Sequence, residues 1–150
     1  MSLSNFLSGL KSKAGELKTE ALKYKNKDFL NAAMAGSALV SMADGSVSEE
    51  EKQKMTKFIE SNDALSVFTT SDVIKAFHDF VGHIESDKEI GEAKAYQALA
   101  KMKSNVEASR LLVRMIIAVA AADGNFDASE KAVASKIAKE LGINPSEFEL

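Results

Sequence analysis

Apolar residues recur at spacings of three and four along most of the chain, and no stretch shows the two-residue alternation of a half-buried strand. The first stripe joins Leu3, Leu7, Leu10, Ala14, Leu17, Ala21 and Tyr24, with lysines on the remaining faces. A 15-residue run without a charge follows, Phe29–Ala43, rich in Ala, Ser and Gly. A membrane span needs about 20 predominantly apolar residues, so this run predicts a buried helix that neighbours can approach closely. Ser48 with Glu51 has the S-x-x-E spacing of a capping box and opens a helix to about Ser61, with Met55, Phe58 and Ile59 on its buried side. Residues 62–70 read as a connector. Thr69 or Thr70 then caps a helix carrying Val73, Phe77, Phe80, Val81 and Ile84. Helices over Asp87–Met102 and Glu107–Ala122 follow, the second strongly apolar. Asp127 with Glu130 repeats the capping box, that helix ends at Gly142, and Asn144 with Pro145 starts a terminal turn. The prediction is an all-α bundle of about seven helices.

Part of this pattern occurs twice. Residues 40–57 and 119–136, offset by 79, share seven of eighteen positions: Val40/Val119, Ala43/Ala122, Asp44/Asp123, Gly45/Gly124, Glu51/Glu130, Lys52/Lys131 and Lys57/Lys136. Each copy reads as an apolar helix, an Ala-Asp-Gly turn and a capped, charged helix. The economical arrangement is an internal duplication, two helical hairpins related by a pseudo-two-fold. Phe29–Ala43 and Glu107–Ala122 would form its central pair, flanked by about 49–61 and 128–141.

Composition narrows the function classes. With 150 residues and 45% hydrophobic content, the chain suits one domain with a real core. It has no cysteine, which excludes disulfides, thiolate catalysis and Cys-ligated zinc. No signal peptide is visible, so the expected compartment is the cytoplasm. Residues 1–27 carry six lysines against Glu16 and Glu20, a net of +4, whereas residues 28–150 carry a net of −7. The division is a basic amphipathic segment, 1–27, and an acidic helical body, 28–150. The segment either lies on an anionic membrane surface or in a partner's groove, or packs on its own body. The body lacks a basic, aromatic-interleaved surface, a phosphate loop, a dinucleotide fingerprint and the G-x-S-x-G and H-E-x-x-H motifs, so nucleic acid and the common enzyme classes are not expected.

The turns hold the main candidate chemistry. From Asp44 to Glu51 and from Asp123 to Glu130, each copy matches the fifth to twelfth positions of an EF-hand loop. Val40/Val119 and Met42/Ala121 stand where the first oxygen ligands belong, which excludes two independent EF-hand sites. Two alternatives remain. Asp44, Glu51, Asp123 and Glu130 converge on one divalent cation, with Ca²⁺, Mg²⁺ or Mn²⁺ suited to a sulfur-free oxygen set; or each Asp makes a turn bond and each Glu closes a cap, without metal. His78 and His83, five residues apart, do not have the spacing of a metal pair on one helix face. Arg110 and Arg114 share a face and suit an acidic partner.

The doubled Ala-Asp-Gly turn with its acidic helix start, and the Leu141–Phe148 ending L-G-I-N-P-S-E-F, closely resemble the TerB family of bacterial tellurite-resistance proteins. The turn is also seen in the related domain at the front of DjlA-type co-chaperones. The resemblance implies an all-helical, internally duplicated fold, a non-enzymatic role in tellurite and stress resistance, and metal chelation by acidic residues. Carried over by position, those are Asp44, Glu51, Asp123 and Glu130, with Asp127 matched by Ser48 in the first copy. It further implies cytoplasmic work at the inner face of the membrane with other Ter proteins, including an integral-membrane partner; the basic stripe itself is what suggests peripheral membrane contact through residues 3–27. The alternative is a pure protein-protein interaction scaffold with no metal site.

Overall fold

The computed structural model describes residues 26–45, 47–61, 63–121 and 126–150. Among them the chain forms six α-helices and two short 3-10 turns, without strands: α1 (Lys27–Ser41), α2 (Glu49–Ser61), a 3-10 turn (Asp63–Val67), α3 (Thr70–Ser86), α4 (Lys88–Ala100), α5 (Val106–Ala120), α6 (Ala128–Glu140) and a closing 3-10 turn (Pro145–Phe148). The all-α expectation holds. The stretch 3–24, expected as a further helix, lies outside the described residues, as do Asp123 and Gly124 of the second turn.

Helix α1 is the hub, packing against α3, α4, α5 and α6. Its composition explains why. A helix apolar on every side has to be covered on every side, and eleven consecutive or near-consecutive positions from Phe29 to Val40 are buried. Small side chains there let neighbours come close. At Gly36 the approach is extreme, because a Cβ would fall 2.8 Å from Cγ1 of Ile116 on α5 and closer still to its Cδ1. Asn26 starts the helix, its side-chain oxygen accepting the Phe29 amide at 2.8 Å. Phe29 then stacks on Phe68, with ring centroids 6.3 Å apart. Helix α5 is nearly as deeply buried, so the two apolar halves of the repeat do lie together at the centre.

The charged halves do not pair symmetrically. Helix α6 lies on both α1 and α5, but α2 rests on α3, on the 3-10 turn beside it and on part of α5 rather than returning along α1. The first hairpin is therefore not closed as the duplication suggested, and the described contacts do not reproduce two equivalent hairpins. The cause is legible in α2 itself. Ile59 is its single fully buried residue, so it has little apolar surface with which to claim a place beside α1.

Two junctions fix the remaining geometry. A single residue, Asp87, separates α3 from α4: its amide donates to the His83 carbonyl at 3.1 Å, and its carboxylate accepts the Ile90 amide at 3.0 Å. That turn folds α4 back on α3 so closely that a Cβ at Gly91 would overlap the backbone of Ile84 and lie 2.6 Å from the His83 carbonyl carbon. At the end of α6, Gly142 takes φ 76°. Its amide donates to Lys139 and the Ile143 amide to Ala138, the paired bonds of a Schellman motif, at 3.0 and 2.9 Å. Asn144 and Pro145 then open the last turn as expected, and Arg110 ties that turn to α5 through Glu147 at 3.2 and 3.3 Å.

Candidate functional site

The repeat brings both of its charged helix starts to one place. A cleft of about 690 Å³ opens where the ends of α1 and α5 meet the first turns of α2 and α6. Asp44 in the first turn, Glu51 on α2, and Asp127 and Glu130 at the start of α6 line it. Lys54 and Lys57 stand among them, over an apolar floor of Val47, Met55, Phe58 and Ala120. Three of the four predicted site residues thus face one cleft, and Asp123, the fourth, lies outside the described residues. Asp127, carried over less directly, joins them.

Local structure decides how each carboxylate is engaged. After α1, the Gly45 amide donates to the Met42 carbonyl at 2.9 Å and Gly45 takes φ 100°, which is the turn the Asp-Gly pair predicted. Asp44 sits exposed on that turn. In the second copy the capping box is complete, the Asp127 carboxylate accepting the Glu130 amide at 2.8 Å and Glu130 accepting the Asp127 amide at 3.3 Å. In the first copy only half of it forms. Ser48 Oγ accepts the Glu51 amide at 3.1 Å, and no reciprocal bond from the Glu51 carboxylate occurs among the described residues. Glu51 therefore enters the cleft with less local commitment than Glu130.

The donor chemistry suits a hard cation: carboxylate oxygens, no sulfur, no imidazole. At the C-terminal end of α1, beside the cleft, the Ser41 hydroxyl oxygen is shielded from solvent and has no hydrogen-bond partner among the described residues. The assembly itself falls short. Among the described residues no three Asp, Glu or His side chains are close enough to hold a metal ion.

Lys52, shared by both copies of the repeat as Lys52/Lys131, is paired away from the cleft. Its ammonium lies 3.0 and 3.1 Å from Glu85 of α3 and 3.2 Å from Glu49. The Glu85 hydrogen bond above all, and Glu49 after it, keep the Lys52 pKa above its usual value. His78 reaches Thr56 across the same α2–α3 seam at 3.2 Å. Because the Thr56 hydroxyl donates to the Lys52 carbonyl at 2.8 Å, it accepts from the His78 ring, whose Nε2 carries the proton. Lys54 and Lys57 were not foreseen as cleft residues. The signal was present for one of them, since Glu51, Lys54, Met55 and Phe58 follow the i, i+3, i+4, i+7 rule for one helix face.

A second cleft, of about 480 Å³, lies on the other side of the first turn, between α4 and α6. There Lys136 sits over the Tyr96 ring, 5.1 Å from its centroid. Burial, reinforced by Glu92 and Glu140, pushes the Tyr96 phenol up to about 12. A phenol raised above its ordinary value keeps its proton longer folded than unfolded, so its contribution to stability is complete below about pH 10 and lost between about pH 10 and 12. The chain has two tyrosines and no tryptophan, which makes phenolate absorbance a clean readout. The wild-type minus Tyr96→Phe titration is expected to have its midpoint near 12. A midpoint near the free value of about 10 would show the ring to be solvated.

Among the described residues no helix is long and apolar enough to cross a membrane. The family model for Tellurite resistance protein TerB matches residues 30–150. A protein from an Alcaligenes species, named Tellurium resistance protein TerB, is 37% identical over 100 residues, spanning 67% of this chain and 82% of its own. No solved structure matches.

Proposed function

Because the chain belongs to the TerB family of tellurite-resistance proteins, we propose that it is a non-enzymatic resistance module whose acidic cleft binds a hard divalent cation. The observation that carries the reading is the convergence of Asp44, Glu51, Asp127 and Glu130 on one cleft from the two copies of the repeat. In this reading two half-loops that could not bind separately share one ion across the cleft. Glu51, whose carboxylate makes no cap bond among the described residues, supplies the first copy's ligand; Glu130 supplies the second's, and Asp44 and Asp123 complete the set. Calcium, magnesium or manganese is the matching class. Catalysis is left out of the proposal, since chemistry on tellurite calls for a reductant or thiol and the chain has no cysteine. Docking on other Ter proteins, one of them integral to the membrane, and peripheral contact of residues 3–27 with an anionic inner membrane face complete the proposal. The basic segment, net +4, is what supports that contact.

Titration of the full chain with each cation, followed by amide NMR, tests the metal site. The expected result is shifts confined to residues 44–51 and 123–130, and a loss of affinity on the order of tenfold in Glu51→Gln, as removal of one charged ligand implies. A specific observation favours a second reading, an interaction scaffold without metal: Asp127 and Glu130 already close a capping box, and Lys54 and Lys57 neutralise part of the cleft. Under that reading no amide moves on cation addition. Asp44→Asn and Asp127→Ala then change stability alone, the second by about 1 kcal/mol through the lost cap.

A further inference from the structure

One wall of the acidic cleft is far less firmly held than the other. Helix α6 buries Ala134, Ile137 and Ala138 and lies along both central helices, whereas α2, of equal length, buries only Ile59. An isolated helix of this size is marginal in water, so it depends on whatever holds it to the body. For α2 that includes a polar seam. Lys52 reaches across to Glu85 at 3.0 Å, and Thr56, one turn on, meets His78 at 3.2 Å. The Lys52 side chain is 14% exposed against 40% for Glu85, so the lysine stem is covered while its ammonium meets Glu85 at the surface. At its start α2 follows the Gly45 turn, whose φ of 100° only glycine adopts readily.

We propose that α2 is a hinged gate on the acidic cleft, latched to α3 by Lys52 and Glu85, which opens as a unit while α1 and α5 stay folded. The inference concerns the wall of the cleft and holds whether or not a cation is its ligand. Proteins open locally along units with few buried apolar contacts, and α2 is the described helix with fewest fully buried residues. Opening carries Glu51 away from Asp127 and Glu130 and uncovers Met55, Phe58 and Ile59. A ligand that touches both walls binds only the closed form and holds the gate shut, by differential affinity alone.

Native-state hydrogen exchange on the full chain tests this. The α2 amides are expected to exchange through an opening of lower free energy and weaker denaturant dependence than the amides of α1 and α5. Lys52→Met keeps the aliphatic stem and removes the latch. It should speed exchange in α2 by up to roughly fivefold, the upper range for one exposed ion pair, and leave α1 and α5 unchanged. Glu85→Gln should reproduce this from the α3 side. Glu50→Gln, which breaks only a pair within α2 to Lys54 at 3.6 Å, should not. Exchange of α2 at the same free energy as α1 and α5 would overturn the proposal. So would a Lys52→Met effect spread equally over all helices, which would mark global destabilisation.

Discussion

Gly91→Ala is expected to destabilise the protein by about 3 kcal/mol, at the upper end of the usual cost of overpacking, while the same change at Gly82 stabilises it by up to about 1 kcal/mol. Both glycines lie inside helices, where alanine is the better residue, so propensity alone would make both changes favourable. Their surroundings differ. Around Gly82 nothing stands within 4 Å of where the methyl would sit, but at Gly91 it would overlap the backbone of Ile84 and His83. A side chain can rotate away from a new methyl. A helix backbone cannot, so α4 has to move off α3, and the single-residue turn at Asp87 leaves it little freedom to do so. For a domain of this size a loss of about 3 kcal/mol lowers Tm by about 6–12 °C. Thermal unfolding of the two variants side by side decides it. Two changes of the same sign would mean that α3 and α4 do not approach as described.

The second large effect lies at the contact between the two central helices. Gly36→Leu is expected to cost about 3 kcal/mol, because the added side chain occupies the space of Ile116, which is 1% exposed. Ile116→Ala alone should cost about 2–5 kcal/mol through the cavity it leaves. Combined, the two changes should cost clearly less than their sum, since each relieves the other, with a coupling of at least about 1 kcal/mol. Strict additivity in denaturant unfolding would show the helices not to touch there. This contact also governs the cleft. Ser41 ends α1, Asp44 lies just beyond it and Ala120 ends α5, so forcing these helices apart at Gly36 should also shift the cleft amides, and Gly91→Ala should not.

Most of the helices were legible from period and caps. Asn26, Asp87, Asn105 and Asp127 each accept the backbone amide three residues on, which is what ends the competition between turn and helix at those points. Thr69, by contrast, stands at the N-cap of α3 without a side-chain bond. The candidate site was partly legible. The repeat identified Asp44, Glu51 and Glu130, and the helical rule placed Met55 and Phe58 beside Glu51. The same rule also reaches Lys54, but the presence of Lys57 in the cleft, the solvent-shielded Ser41 oxygen and the commitment of Lys52 to Glu85 are long-range facts. No spacing within α2 reveals a partner 33 residues away.

The sequence by itself determined the all-α class, the helix starts, the uncharged run that had to become the buried hub, and the pairing of the two apolar halves. It did so because capping and amphipathic period act within a few residues. Only the tertiary structure decided that α2 leans on α3 instead of closing a hairpin with α1, and that the charged helix starts of both copies face one cleft. Those outcomes depend on which surfaces compete for α1. An uncharged helix attracts the neighbours with most apolar area, and α2, with one fully buried side chain and Met55 and Phe58 only partly covered, packs at the margin of the core.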